Sequence, residues 1–514
     1  MESTLLASSS AIAQDELGGL GEPTPQEQIQ ALVESGLQQY NEGDFEAAVA
    51  SFTQVINLPG FVNSPSYPQL ALARAKAYAG LEEYEAALED VGEALTYGQS
   101  NQALLPEIQN TRGEIYMDLG AYQQALPDLQ AAAQANRQNP IYQFNVGKTL
   151  VKLGGGAQAE KPLTAFLDSD LAAELEEQRG EALALRGQAY VAMGKPEEAN
   201  NDFEAALELD PANHEVYFGR ASLAVQDEDY AAAVEPLRLA IENYTPENED
   251  DELPFVQGYL TLAFVLEEVG KAEEDAAASR KAYESVLAVC DELLDALPEN
   301  NPAAENTRAA TLFRKGIAQR LLGDLIDAVK TLTQAIRINP GLGEAYFRRG
   351  ICYFYLGEEK LAIRDFEQSA AINFDVPRAS LWKGVAWARL GDYTEAIRAH
   401  GESLAVSDRY TPAYVNRALV QMQLGEYGKA VEDLNEAIRL EPTEPKHYYR
   451  RGRAYELLGE TQDSIQSYMS AISFDERFVP AYSALIEVLT ENGQRELAGV
   501  YRRRLAELGL NASL

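Results

Sequence analysis

The chain has 514 residues and carries 42 basic against 81 acidic side chains, a formal charge of −39. That balance excludes non-specific attachment to nucleic acid, which needs an excess of Lys and Arg to neutralise phosphates. The charge is also unevenly placed: residues 1–304 hold 15 basic and 53 acidic side chains, whereas residues 305–514 hold 27 and 28, so the two parts are expected to meet different partners or serve different roles.

Residues 1–28 show no helical period and are rich in Ser, Gly, Pro and acidic residues, which reads as a disordered tail. Inside it Ala11 and Ala13 form an A-x-A arrangement before Gln14, as at a secretory cleavage site, although no basic segment precedes it. Two locations stay open: cytoplasmic with the tail retained, or periplasmic or secreted if Ala11-Ile12-Ala13 is cleaved by a signal peptidase. No segment approaches the roughly 18 unbroken apolar residues of a membrane span.

Paired apolar runs then recur over residues 29–242. They read SGLQQYNEGDFEAAVASF from Ser35, AKAYAGLEEYEAALEDV from Ala75, RGEIYMDLGAYQQALPDLQAA from Arg112, and VGKTLVKLGGGAQAEKPL after Asn145. LALRGQAYVAMGKPEEANNDFEAALELDP follows from Leu183, a further copy is keyed on Tyr217, and one beyond this array is keyed on Gly270. This is an acidic, irregular array. After Tyr244 the stretch TPENEDDELP is acidic and turn-rich, and its run from Glu247 to Glu252 lacks the alternating ligands and Gly of a calcium loop, so it reads as a solvated loop. Beyond Gly270 a helical pattern continues from Lys271 to about Leu297, longer than the roughly 12 to 14 residues of an ordinary helix. Residues 243–304 are therefore expected to hold an acidic insertion and a long linking helix.

Residues 305–514 are regular. Gly323, Gly357, Gly391, Gly425, Gly459 and Gly493 stand 34 residues apart, with Ala328, Ala362, Ala396, Ala430, Ser464 and Ala498 five residues behind them. A period near 34 with one Gly between two apolar runs marks stacked helix-turn-helix units. Each unit needs a small residue where its helices cross and a turn that favours Gly through positive φ.

In the copy from Leu183, Gly187, Tyr190, Gly194, Ala199, Phe203, Ala206 and Pro211 stand in the order and spacing of the tetratricopeptide (TPR) repeat, which the units from Arg112, Arg348 and Arg450 also resemble. The resemblance implies an all-α, right-handed TPR superhelix, an α-solenoid of roughly thirteen helix-turn-helix repeats from about Ala31 onward. Little room is left for another domain.

Catalytic signals are missing. His214, His400 and His447 are isolated, with no H-E-x-x-H or C-x-x-C pair beside them. The triplet Gly154 to Gly156 lacks the Lys-Ser/Thr of a phosphate loop, and G-x-S-x-G does not occur. Cys290 and Cys352 are far apart and read as small buried thiols. Neither an enzyme, nor a metal site, nor a cofactor is expected.

Binding is what remains. In the TPR family the first helix of each unit lines a concave groove, and its inward positions here are Phe313, Arg314, Arg320, Phe347, Arg348, Phe354, Tyr355, Arg378, Leu381, Trp382, Arg389, Asn416, Met422, Lys446, Tyr449, Arg450 and Arg453. This set is aromatic and basic, the usual composition of interface hot spots. The same positions in the first array give Glu107, Glu114, Asp118, Glu181 and Glu215. Arginines there could instead pair with acids on neighbouring helices, and Tyr346, Tyr414, Tyr448 and Tyr482 are assigned to packing between repeats. Asn416, Lys446 and Arg450 fall where co-chaperone TPR domains hold a peptide carboxylate, but Leu381 and Val385 replace two of the five residues of that clamp.

The expected function is a non-catalytic scaffold that holds an extended, acidic, aromatic-containing partner segment in the groove of the second array. The alternative is an accessory subunit that recruits substrates to a separate modifying enzyme, such as a glycosyltransferase.

Overall fold

The computed structural model describes residues 24–99, 101–245, 253–299 and 301–510; the A-x-A arrangement at Ala11 to Ala13 and the acidic run from Glu247 to Glu252 lie outside them. The first described helix, Pro25–Asn41, opens on a capping box in which Thr24 Oγ1 accepts from the Glu27 amide at 3.3 Å and the Thr24 amide donates to Glu27 Oε2 at 2.7 Å. Helix therefore begins inside the segment read as tail. Periodicity missed it because the first turn, PQEQ, carries no apolar residue.

The chain divides after Tyr244 into two units. In the first, six hairpins pair Pro25–Asn41 with Phe45–Ile56, Tyr67–Gly80 with Tyr84–Gly98, Leu105–Asp118 with Tyr122–Ala135, Pro140–Lys152 with Gly156–Leu167, Glu176–Ala192 with Pro196–Leu209, and His214–Gln226 with Tyr230–Glu242. A five-residue helix, Asp170–Glu174, is interposed. In the second, seven hairpins pair Val256–Ala272 with Ala276–Ala296, Pro302–Leu322 with Leu325–Ile338, Gly343–Leu356 with Glu359–Ala371, Val376–Arg389 with Tyr393–Val406, Thr411–Gln423 with Tyr427–Leu440, Pro445–Leu458 with Thr461–Phe474, and Val479–Glu491 with Arg495–Glu507. No strand occurs among the described residues.

The long helix expected from Lys271 to about Leu297 is Ala276–Ala296, of 21 residues, but it does not run on from Gly270 as a linker: it is the second helix of a hairpin. Asp275 accepts from the amides of Ala277 and Ala278 and starts a new helix, while the Ser279 hydroxyl donates to the Gly270 carbonyl at 2.6 Å and folds the two helices together. The segment is thus the first hairpin of the second unit. Its break at Glu273–Asp275 contains neither Gly nor Pro, the residues that punctuate a helix most visibly.

Two steric facts repeat along both units. The glycine between the helices of each regular hairpin has positive φ, from 91° at Gly323 to 76° at Gly493. Where the helices cross, a Cβ on Gly452 would lie 2.5 Å from the Tyr468 ring, so the large side chain of the second helix fits only against bare backbone. The apolar core is correspondingly a chain of clusters, one for each hairpin and its neighbour. Cys290 and Cys352 are buried within it, and burial pushes their thiols up to about 12 and about 11.

A polar staple accompanies the core. Arg74 with Asp90, Arg112 with Asp128, Arg186 with Asp202, Arg349 with Asp365 and Arg417 with Asp433 form two-pronged ion pairs at 2.6–2.8 Å, each joining the two helices of one hairpin across 16 residues. Both partners are largely buried, so each pair fixes the angle of its hairpin.

Candidate functional site

The first helices of the second unit present the aromatic and basic residues expected of a binding face, but the structure sorts them into three groups. Phe347 is a correction. It is only 3 % exposed, packs against Phe366 and Phe374 with ring centroids 5.7 and 6.3 Å away, and belongs to the core of its hairpin. Phe313 is half-buried against the cluster of Ala328, Leu332, Ile336, Ala345 and Cys352, and Tyr449 sits between Tyr468 and Phe478. These rings hold repeats together.

A second group consists of arginines whose charge is met inside the unit. Arg314 reaches Glu267 at 3.2 Å and lies 5.2 Å from the centre of the Phe264 ring. Arg348 pairs with Glu344 at 2.7 Å on its own helix, Arg378 with Asp375 at 2.8 Å, and Arg453 with Glu456 at 3.5 Å. Arg389 reaches Glu359 at 3.0 Å on the preceding hairpin and donates to the Phe354 carbonyl at 3.0 Å. Glu344 and Asp375 stand four and three residues before their arginines, a spacing visible in sequence. Glu267 and Glu359 are not visible in that way, because they arrive from other helices.

The third group is partly open, with Phe354 and Trp382 half-buried against the core of their hairpin. Tyr355 is 60 % exposed, and its ring meets those of Phe354 and Trp382 at 5.6 and 6.5 Å, while Phe354 and Trp382 lie 5.5 Å apart, all edge to face. The Arg389 guanidinium covers Phe354 at 4.5 Å and that of Arg378 covers Phe347 at 4.6 Å. Phe354, Tyr355 and Trp382 make an aromatic shelf with the Arg389 guanidinium over one of its rings. Further along, Lys446 is exposed, and Asn416 donates to the Pro412 carbonyl of its own helix at 2.8 Å. Arg450 is half-buried without a carboxylate at ion-pair distance among the described residues, and burial lowers its pKa.

The first unit differs in kind. Lys76 bridges to Glu107 at 2.8 Å, Lys148 to Glu181 at 2.7 Å and Lys152 to Glu215 at 3.3 Å, each from one first helix to another, so much of its inward acid is met by lysine. Glu114 is half-buried and accepts from Asn145 at 2.9 Å, and desolvation raises its pKa. Among the described residues no group of His, Cys, Asp and Glu could hold a metal ion, and no helix is long and apolar enough to cross a membrane.

Comparison with known families matches the tetratricopeptide repeat at residues 34–104, 106–139, 184–248, 343–375, 362–412 and 446–478, and the TPR repeat at residues 418–459. These stretches cover more than half of the chain. No curated protein matches it. Among solved structures it is similar to a MamA protein at 23% identity and TM-score 0.32, covering 34% of this chain and 94% of that one. It is similar to Naa15/Naa10 bound to HypK-THB at 13% and 0.40, covering 93% and 94%, and to YrrB, a TPR protein with an unusual peptide-binding site, at 16% and 0.31, covering 35% and 95%. At these scores the likenesses say nothing of what this chain binds.

Proposed function

This chain belongs to the tetratricopeptide repeat family, and from that premise we propose that it is a non-catalytic scaffold which holds an extended, acidic partner segment on the first-helix face of its second unit. The observation that carries the reading is the shelf of Phe354, Tyr355 and Trp382 under the guanidinium of Arg389. Phe354 and Trp382, half-buried against the core of their hairpin, support Tyr355, which is 60 % exposed, and a cation lies over one of the three mutually packed rings, which offers an aromatic and basic face to a partner. Lys446, Arg450 and Arg453 extend the basic character along the same face, and the acid-rich first unit repels the same segment, which confines it to the second.

The test is capture of partners from the native cell with the full chain and with a Tyr355→Ser, Trp382→Ala variant. A partner identified by mass spectrometry should bind the full chain and lose at least ten-fold in affinity with the variant, while helix content stays unchanged. Equal binding by both proteins, or equal binding by the first unit alone, would sink the proposal.

A further inference from the structure

One hairpin of the second unit lacks what the hairpins on either side of it share. In those, Arg349 with Asp365 and Arg417 with Asp433 close the helix pair through two-pronged ion pairs. One period of 34 residues beyond Arg349 and Asp365 stand Lys383 and Ala399, so Val376–Arg389 and Tyr393–Val406 have no such pair. Lys383 turns instead to Glu402, and the Ser403 hydroxyl donates to the Pro377 carbonyl at 2.7 Å. The entry to this hairpin is strained: Asn373 and Asp375 have φ of 63° and 36°, two of the four non-glycine residues with positive φ among those described. Inside it the indole nitrogen of Trp387 is buried without a hydrogen-bond partner.

His400 lies at the centre of the same hairpin. The edge of its ring that carries Nδ1, Cε1 and Nε2 faces the helix crossing, where a Cβ on Gly384 would lie 2.4 to 2.8 Å from those three atoms, and neither nitrogen is hydrogen-bonded. The helices packed around it leave no acid for an imidazolium among the described residues. Its own helix carries Glu395, Arg398 and Glu402, but Arg398 holds both carboxylates and Lys383 shares the second. The first helix brings Lys383 beside Gly384. The following hairpin brings Arg417, whose Nη1 stands 3.9 Å from where a Cβ on Gly401 would lie and whose own acid is Asp433. A proton on this ring therefore meets cations and no acceptor while the hairpin is closed, and meets water once it opens.

We propose that residues 376–406 form an acid-operated hinge: protonation of His400 opens this hairpin locally while the hairpins on either side stay folded. Stacked repeats allow it, because each contacts only its neighbours, and a weak one opens at a lower free energy than global unfolding requires. Trp382 lies on the opening helix, two residues before Gly384, so each opening takes it away from Phe354 and Tyr355. That loss of the shelf bears on binding through the reading above; the hinge itself does not depend on it.

Hydrogen exchange on the full chain, resolved by peptide mass spectrometry and corrected for the intrinsic effect of pH, is measured at pH 7.5 and pH 5. Wild type is compared with His400→Leu, since Leu434 is buried at the same register position of the next hairpin. Protection of residues 376–406 in the wild type should fall by about 25-fold on acidification, the ratio set by a ring that titrates near 6.5 when open and at about 4 when closed. Residues 343–371 and 411–440 should change by less than about three-fold, and His400→Leu should remove the response of 376–406. The Trp387 indole N–H, read by NMR in a chain with two tryptophans, should exchange faster by the same factor.

An equal loss of protection in the flanking hairpins means that the unit unfolds as a whole, and overturns the hinge. Undiminished protection of 376–406 in the wild type, or the same acid response in His400→Leu, overturns it too. A loss confined to 376–406 and abolished by His400→Leu, in a chain for which no partner of the shelf is found, keeps the hinge and removes only the binding face.

Discussion

His400 occupies the place where other hairpins put Phe366, Leu434 or Tyr468, against the bare backbone of Gly384, from which a Cβ would lie 2.4 Å from the imidazole. It is 0 % exposed and neither ring nitrogen has a hydrogen-bond partner. Burial, with Arg417 nearby, pushes its pKa down to about 4, and Arg417 is itself engaged by Asp433. The unfolded chain binds a proton on this ring near pH 6.5, whereas the folded chain does so only near pH 4. Stability is therefore complete above about pH 6.5 and falls as the pH drops toward 4, by about 3 kcal/mol for this group. His400→Leu should flatten that dependence and raise stability at neutral pH by about 1 to 3 kcal/mol, since two buried unpaired polar atoms disappear. Urea unfolding of both proteins at pH 7.5 and pH 5 checks it; parallel losses on acidification would show that another group is responsible.

At the scale of the helix pair, turn geometry and the polar staple make separate predictions. Glu82 and Glu228 stand where the regular hairpins carry glycine and adopt φ of 60° and 58°, a conformation costly for any residue with a Cβ. Glu82→Gly with Glu228→Gly should stabilise the first unit by about 0.5 to 1 kcal/mol for each site, seen as a rise in melting temperature. Asp365→Ala should do the reverse at greater size, because it strands the largely buried Arg349 guanidinium; a loss of about 3 to 5 kcal/mol in urea unfolding is expected. Glu344→Ala is the control. It breaks the more open pair with Arg348, and should cost under about 1 kcal/mol.

For the molecule as a whole, the boundary at Tyr244 redraws which fragment can stand alone. The hairpin Val256–Ala296 packs on the helix Pro302–Leu322, with Leu293, Leu297 and Ala304 sharing one cluster and Lys315 pairing with Asp291 across it. A fragment of residues 253–514 should melt cooperatively, whereas one starting at residue 305 cuts into a helix and uncovers that cluster, so it should melt at lower temperature with a broader transition. Circular dichroism on both fragments decides. The helix Arg495–Glu507 buries Ala498 and Leu505 against the preceding hairpin, while Arg502, Arg503 and Arg504 face water together with Leu497 and Val500.

The repeat itself was legible from sequence because its causes are local and steric. A turn that needs positive φ selects Gly, a crossing without room for a side chain selects Gly or Ala, and the two recur at 34 residues wherever the unit is repeated. The aromatic and basic character of the first helices was legible for the same reason, since register alone places those residues. Tertiary structure decided which of them are open to a partner. Phe347 and Phe354 are both first-helix phenylalanines, but the first is enclosed by Phe366 and Phe374 while the second lies in the shelf. Arg314 and Arg348 hold the same repeat position, yet one is tied to Glu267 of another hairpin, the other to Glu344 one turn away, and Arg320 to no acid among the described residues. An ion pair or a ring contact depends on a few ångströms between side chains on different helices, a separation that a 34-residue period leaves unspecified.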